Sequence, residues 1–187
     1  MKNYQITEWC RLFIAQQVRE GDLCIDATAG NGHDTLFLSR LAKTSGRVLA
    51  FDIQKEALDV AQRRLMKAGA DDNVSFILDS HSRMNQYASP ETVSCIVFNL
   101  GYLPGGDHSL ATRPETTLTA IEQGLTLLKP GGLISLCIYS GGDSGFAERD
   151  ALLDYLKTLD PRQYLVVLSQ YYNRPHHPPI PVLIHKV

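Results

Sequence analysis

The sequence predicts an α/β protein built on a doubly wound, mostly parallel sheet that ends in an antiparallel hairpin. Apolar runs alternate with helical patterns, and most runs are continuously apolar, as expected for parallel strands covered on both faces. The last two runs are joined by 171–179, which is too short for a crossover helix and compatible only with a hairpin. The predicted strands are 23–27, 47–52, 74–78, 93–100, 133–139, 164–170 and 181–184.

Amphipathic spacing predicts the helices between these strands. Residues 55–68, 116–128 and 146–159 each place apolar side chains at helical intervals on one face. A further amphipathic helix over 6–18, or 5–19 at its widest, precedes the first strand. Its expected packing residues are Ile6, Trp9, Phe13 and Val18. Because no linker, repeat or low-complexity tract interrupts the alternation, we expect one domain over 1–187.

Bulk composition limits the classes of function. The 187 residues are 44% hydrophobic and 20% charged, as in globular proteins, and their net charge of −2 argues mildly against an extended nucleic-acid footprint. Since no apolar stretch approaches the ~20 residues that span a bilayer and the first residues lack a signal-peptide core, we expect no membrane association and a cytoplasmic location. The four cysteines show no C-x-x-C spacing, and we expect core cysteines and no metal.

A glycine-rich bend at 26–35 follows the first predicted strand, where ligands of doubly wound sheets bind. Thr35 replaces the third glycine of the dinucleotide fingerprint, so the fit to NAD is incomplete. S-adenosylmethionine (SAM) lacks a pyrophosphate and is cationic, so an acidic, carbonyl-rich bend suits it better. Asp34 also stands where a cap of the next helix is expected. The residues of the bend expected to bind the cofactor are Asp26, Thr28, Gly30, Asn31, Gly32, Asp34 and Thr35.

Aspartates also end the next two predicted strands. Asp52 can accept both hydroxyls of a ribose, although it could instead cap the helix that follows. Asp79 can accept a hydrogen bond from an adenine amino group. The further cofactor contacts expected at these strand ends are Asp52, Ile53, Gln54, Asp79, Ser80 and His81.

The fourth predicted strand ends in Asn99-Leu100-Gly101-Tyr102. This segment resembles the [Asp/Asn]-Pro-Pro-[Tyr/Phe] signature of methyltransferases that modify amino groups, although both prolines are replaced. The Asn99 oxygen can accept an N–H of the amine and aim its lone pair, and Tyr102 can stack on a flat base. Asn99 is also expected to contact the cofactor. The expected catalytic residues are Asn99, Tyr102, Asp107 and His108, the last two as proton acceptors or as an ordinary solvated pair.

Basic and aromatic residues elsewhere are candidates for contact with the substrate. Arg113 could bind a phosphate, and Thr112 could cap the helix that follows it. Tyr172, Arg174 and His176 are suited to an unpaired nucleic-acid loop, although a proline-stiffened turn without a ligand is the alternative. A metal site at the adjacent histidines is not expected, because no third ligand is spaced nearby.

Three segments together, 26–35, 99–108 and 113–117, resemble a bacterial family long described as putative rRNA methylase. Its characterised members are tRNA 5-(aminomethyl)-2-thiouridine methyltransferases of the MnmM type. The resemblance covers essentially the whole chain and implies a Rossmann-like, SAM-dependent methyltransferase. It also implies that the acceptor is the aminomethyl group of the wobble uridine in the tRNA anticodon loop.

That acceptor agrees with the residues, since it is an amine on a flat base in a single-stranded loop. The alternatives are an rRNA or other base amino-group N-methyltransferase, a nicotinamide-dependent oxidoreductase and a non-catalytic RNA-binding domain. The N-terminal helix and the final hairpin could supply the face of a homodimer.

Overall fold

The computed structural model describes residues 5–101, 112–140 and 142–187, with the side chains of 142–144 left out. The strands are β1 (Leu23–Asp26), β2 (Arg47–Asp52), β3 (Val74–Leu78), β4 (Val93–Leu100), β5 (Leu128–Ile138), β6 (Tyr164–Leu168) and β7 (Ile180–Lys186). The helices are α1 (Ile6–Gln17), α2 (His33–Ala42), α3 (Lys55–Ala68), α4 (Pro114–Leu127) and α5 (Gly142–Lys157), with a 3-10 helix at His81–Gln86.

The strands form one seven-stranded sheet in the order β3-β2-β1-β4-β5-β7-β6. The pairs from β3 through β5 are parallel, whereas β7 runs antiparallel to both β5 and β6. Asp26 is in register with Ala50 and Val97, so the carboxyl ends of the central strands meet at one edge. The predicted fold class, a Rossmann-like sheet with a final antiparallel hairpin, is confirmed.

Helices cover both faces of the sheet. Alternate residues of the strands face opposite ways: Ile96 packs with the core that α4 and α5 cover, and Cys95 packs with the core that α1 and α2 cover. Leu58 of α3 packs against Ala50 of β2. The continuous apolar runs are explained by this double burial, because each side chain of a central strand meets a helix.

Several expected boundaries and packing residues differ from the structure. Trp9 is 44% exposed, so its assignment as a packing residue is wrong. The buried face of α1 is instead Ile6, Cys10 and Ile14, which are spaced four residues apart. β5 begins at Leu128 rather than residue 133, because Leu128 already pairs with Val93 ahead of an irregularity in the register.

The four cysteines are free and buried, as expected, and the sulfur atoms of Cys10 and Cys137 lie 3.5 Å apart. Among the described residues, no helix is long and apolar enough to cross a membrane.

Candidate active site

The glycine bend between β1 and α2 depends on backbone conformations that side chains rarely adopt. Gly30 and Gly32 have φ values of 49° and 76°. A Cβ on Gly32 would lie 2.7 Å from the Cα of Ala61, so only glycine lets the start of α2 pack against α3. Gly32 is also the N-cap of α2. The bend is therefore held both by local geometry and by helix packing.

Asp26, at the end of β1, braces the bend from below. Its side chain is fully buried, and its carboxylate accepts hydrogen bonds from the Thr28 N–H (3.2 Å) and the Thr35 hydroxyl (2.6 Å). Burial, and then the nearby charge of Asp34, raises the pKa of Asp26 from 3.8 to about 7. Asp26 and Thr35 are both fully buried, so they support the conformation of the bend that forms the predicted cofactor site.

Asp52 links the end of β2 to the bend. Its Oδ2 accepts from the N–H of Gly30 and its Oδ1 from the N–H of Gln54, each at 2.9 Å. A carboxylate has about four acceptor positions, so two backbone donors leave room for the hydroxyls of a ribose. The neighbouring Ile53 side chain is 56% exposed at the same edge and offers an apolar surface to a flat base. The backbone oxygen of Asn31 accepts from Arg64 Nε at 2.6 Å and ties the bend to α3.

The end of β3 carries Asp79 and, two residues on, His81. Asp79 accepts from the Tyr87 hydroxyl and from the Ser80 N–H, both at 2.8 Å, and the Tyr87 hydrogen bond is the main reason that the pKa of Asp79 is lowered. His81 donates through Nδ1 to the backbone oxygen of Ala27 at 3.2 Å, and burial lowers its pKa. Its Nε2 is buried and has no partner among the described residues. His81 thus supports the floor of the site in its neutral form.

Asn99, near the end of β4, is fixed at two points. Its backbone N–H donates to the Thr28 hydroxyl and its Nδ2 donates to Oδ2 of Asp34, both at 2.8 Å. The other oxygen of Asp34 accepts from Arg11 of α1, at 2.8 Å from Nε and 2.7 Å from Nη2. The expectation that Asp34 caps α2 is wrong: Gly32 is the N-cap, and the Asp34 carboxylate is taken by Arg11 and Asn99.

A buried glutamate is bonded to Thr112, the first described residue after 102–111. Glu148 of α5 is 2% exposed and accepts from the hydroxyls of Thr112 (2.8 Å) and Thr117 (2.6 Å). Thr112 accepts from the Gly101 N–H and donates its own N–H to the Gly101 oxygen. Gly101 and Thr112, the residues on either side of 102–111, are thereby held together. The expected catalytic residues Tyr102, Asp107 and His108 lie within that segment, outside the described residues.

Arg113 and the residues of the β6–β7 connection lie at the periphery of the site. Arg113, not Thr112 as expected, is the N-cap of α4, and its side chain is exposed. Because Ile180 of β7 pairs with Ile138 of β5, the β6–β7 connection lies at the same sheet edge as Asn99. The exposed residues expected to contact substrate in this connection are Tyr172, Arg174 and His176.

Ring contacts within the β6–β7 connection, and between it and α5, restrain its side chains. The Arg174 guanidinium lies 4.1 Å from the ring centroid of Tyr171, and the rings of His177 and Phe146 meet edge to face at 5.3 Å. Across 5–101, 112–140 and 142–187, no group of three or more His, Cys, Asp or Glu side chains is placed to hold a metal ion.

Sequence reasoning did not identify Arg11 or Glu148 as parts of this site. Both are charged residues on amphipathic helices, where a solvated position is the ordinary expectation. The only available signal was the set of threonines at 112, 116 and 117, which is common at the start of a helix.

Comparison with known proteins shows which family the chain is similar to. The sequence profile described as putative rRNA methylase matches residues 48–185. A crystal structure of a putative rRNA methylase from Clostridium thermocellum is 41% identical, with a TM-score of 0.96 and full coverage of both chains. A putative methyltransferase from Streptococcus mutans, solved in complex with SAH, is 40% identical, with a TM-score of 0.89 and full coverage of both chains.

A curated relative from Arabidopsis thaliana, the chloroplastic tRNA (mnm(5)s(2)U34)-methyltransferase, is 37% identical over 182 residues. The match covers 92% of this chain and 66% of the Arabidopsis protein. The chain spans 44% of another relative, the ubiquinone/menaquinone biosynthesis C-methyltransferase UbiE of Azotobacter vinelandii. This chain belongs to the putative rRNA methylase family, and at the level of that family the expected class of enzyme, a methyltransferase, and the expected cofactor, SAM, are confirmed.

Proposed function

We propose that this protein, acting as one domain over 1–187, transfers a methyl group from SAM to the aminomethyl nitrogen of 5-aminomethyl-2-thiouridine at the wobble position of tRNA. The observation that carries the proposal is the 37% identity, over 92% of this chain, to an enzyme named for that tRNA position. A flat base in an unpaired anticodon loop is also the form of RNA that proteins read most readily.

The edge of the sheet fits the cofactor. The Asp52 carboxylate has acceptor capacity for ribose hydroxyls, and Ile53 offers an apolar surface beside it. The bend between β1 and α2 brings its backbone close to the same place through Gly30, whose φ is positive. When bound, SAM supplies an electrophilic methyl group on its sulfonium. We assign the adenine side to Asp79 and Ser80.

The side-chain oxygen of Asn99 is the acceptor assigned to the substrate amine. Its Nδ2 is engaged by Asp34, which leaves Oδ1 to take an N–H of the amine and orient the nitrogen lone pair. A free aliphatic amine has a pKa near ~10.4, by analogy with lysine, and is mostly protonated at neutral pH. Burial against apolar surface lowers that pKa. The proton is assigned to Asp107 or His108 on the basis of the sequence.

Exposed cations and aromatic side chains near the sheet edge are assigned to the RNA. Tyr172 is fully exposed and can stack on a base, while Arg174, His176 and Arg113 can meet phosphates. An open groove of about 490 Å³ between α2 and α3 is lined by Arg63, Arg64 and Lys67. The groove lies toward the β3 end of the sheet and the β6–β7 connection at the other end, so they are two separate basic patches on a chain whose net charge is −2.

The test is mass spectrometry of tRNA nucleosides from cells that lack the gene. We expect 5-aminomethyl-2-thiouridine to accumulate and its methylated form to disappear. Re-expression of the wild-type protein should restore the methylated nucleoside, whereas Asn99→Ala should not. Unchanged tRNA nucleosides in the deletion strain would exclude the proposed acceptor.

The description of the matching family favours one second candidate, an rRNA base amino group. The same cells decide between the two, because rRNA nucleosides can be measured in parallel. The pH dependence of the rate separates them as well. An aliphatic amine must lose a proton before attack and gives a rate that rises into alkaline pH, whereas an aromatic amino group gives a flatter profile.

A further inference from the structure

We propose that Arg11 and Asp34 are positioning residues, which hold the Asn99 amide so that its oxygen, and not its NH2 group, faces the methyl acceptor. The identity of that acceptor rests on the proposed function, whereas the orientation of the amide does not. The three side chains come from α1, α2 and β4, which only the folded chain brings together.

The chemistry of the Asp34 carboxylate fixes which end of the amide it meets. An ionised carboxylate accepts hydrogen bonds and donates none, so the Asn99 atom 2.8 Å from Asp34 Oδ2 is the NH2 nitrogen. The backbone N–H of Asn99 is held at the same time by the Thr28 hydroxyl. Backbone and side chain are thus both restrained, and within 5–101, 112–140 and 142–187 no hydrogen bond engages the oxygen, which is the free end of the amide there.

A rotation of the amide by half a turn would bring its oxygen against the carboxylate. That change removes a charge-assisted hydrogen bond and replaces it with repulsion between two acceptors. Hydrogen bonds to charged groups are strong enough to favour one orientation by about 10- to 100-fold. Asp34 is 8% exposed, so water screens this preference only weakly.

Arg11 pairs with the charge of the Asp34 carboxylate and holds the group in place. Its guanidinium donates to Oδ1 of Asp34 from both Nε and Nη2, and its Nη1 donates to the exposed Glu8. The guanidinium also lies 5.2 Å from the ring centroid of Phe37. Without this partner the carboxylate would be a buried, unpaired charge and would draw away from Asn99 toward water. Helix α1 packs on one face of the sheet. Through Arg11 and Asp34 it is nevertheless linked to Asn99 at the carboxyl edge.

The kinetic test compares Arg11→Gln and Asp34→Asn with the matched control Glu8→Gln, which removes the other partner of Arg11. Using purified enzyme, SAM and tRNA from the deletion strain, we expect the two network variants to lower kcat by about 10- to 100-fold. In Arg11→Gln, whose side chain is not among the expected cofactor contacts, the SAM dissociation constant and the KM for tRNA should change by less than about 3-fold, and Glu8→Gln should behave as wild type. Arg11→Lys, which keeps the charge, should recover part of kcat.

The same two substitutions are then made in the Asn99→Ala background. If Arg11 and Asp34 act through Asn99, they should change kcat there by less than about 2-fold, because the interaction they support is already gone. Losses that add fully to that of Asn99→Ala, or a fall in the SAM affinity of Arg11→Gln equal to its fall in kcat, would overturn the proposal.

An NMR measurement tests the orientation even if tRNA is not the substrate. We expect the side-chain amide protons of Asn99 to be separated in frequency and protected from exchange in the wild type and in Glu8→Gln. In Arg11→Gln and Asp34→Ala they should move toward the values of a free asparagine. Identical spectra in all four proteins would reject the positioning role, whereas a wild-type enzyme inactive on the tRNA would reject only the proposed function.

Discussion

Asp52, at the end of β2, accepts a hydrogen bond from the backbone N–H of Gly30 across the edge of the sheet, at 2.9 Å. One carboxylate therefore sets the position of the glycine bend and also presents acceptor capacity to the space above it. The bend and the second strand end act as one unit, because neither can move without breaking this bond.

We expect Asp52→Ala to weaken SAM binding by at least about 10-fold, because it removes the assigned ribose acceptor and frees the bend. Calorimetric titration with SAM measures the effect. The matched control is Asp59→Ala on α3, whose carboxylate pairs with Lys55 at the surface. An Asp52→Ala protein that is folded and binds SAM as tightly as the wild type would contradict the assignment.

Gly32→Ala should destabilise the protein by about 3 kcal/mol, since the new Cβ meets Ala61 at 2.7 Å and φ is +76°. Gly69→Ala is the matched control, because its φ is +59° but nothing lies within 4 Å of a Cβ there. It should cost only about 1 kcal/mol. Urea denaturation gives both free energies of unfolding, and equal losses would show that the packing of α2 on α3 is unimportant.

The raised pKa of Asp26 predicts a specific dependence of stability on pH. The unfolded chain releases this proton near pH 3.8, whereas the folded chain keeps it up to about pH 7. The stability that proton binding contributes is complete below the lower value and is lost as the pH rises through the upper one. The free energy of unfolding of the wild type relative to Asp26→Asn should thus fall by a few kcal/mol between about pH 4 and pH 7.

Denaturant curves at several pH values measure this difference. Comparison with Asp26→Asn cancels the contributions of groups with lowered pKa values, such as Asp79 and His81. The surface variant Asp59→Asn should follow the wild type throughout. A constant difference between wild type and Asp26→Asn over the whole range would contradict the raised pKa.

Thr112→Val should impair action on RNA more than binding of SAM. It removes the hydroxyl that links the Gly101 N–H to Glu148, and so loosens the link between the two residues that flank 102–111, which includes Tyr102. We expect kcat/KM for tRNA to fall by about 10-fold or more, by analogy with the loss of one buried hydrogen-bond link, with an unchanged SAM dissociation constant. Thr119→Val, on the exposed face of α4, should leave both quantities unchanged.

The basic groove between α2 and α3 predicts a change in salt dependence. If Arg63 and Lys67 each meet a phosphate, the double variant to glutamine should weaken tRNA binding at low salt and reduce the slope of log K against log salt by about 0.7 to 0.9 per contact. Lys157→Gln on α5 is the control for the loss of one surface cation. An unchanged slope in the double variant would show that neither Arg63 nor Lys67 contacts a phosphate of the tRNA.

The sequence by itself determined the order of elements and the edge of the sheet at which the candidate site lies. Continuous apolar runs such as 93–98 are typical of strands buried on both faces, and the connection 171–179 is too short for a crossover helix and so indicates a hairpin. Since parallel strands share a carboxyl edge, polar residues that follow them, including Asp52 and Asn99, are brought together by topology alone. The family resemblance rested on three local segments, 26–35, 99–108 and 113–117.

Only the tertiary structure decided which partners those residues have. Asp34 reads in sequence as a cap, yet its carboxylate is held by Arg11 and Asn99, which are 23 and 65 residues away along the chain. From the sequence, Glu148 is expected to be a surface residue of an amphipathic helix. In the structure it is buried and accepts hydrogen bonds from two threonines. Periodicity tells which face of a helix is apolar, but not which distant donor meets a given charge. That pairing depends on how the helices pack across the sheet, a relationship between elements that no local pattern records.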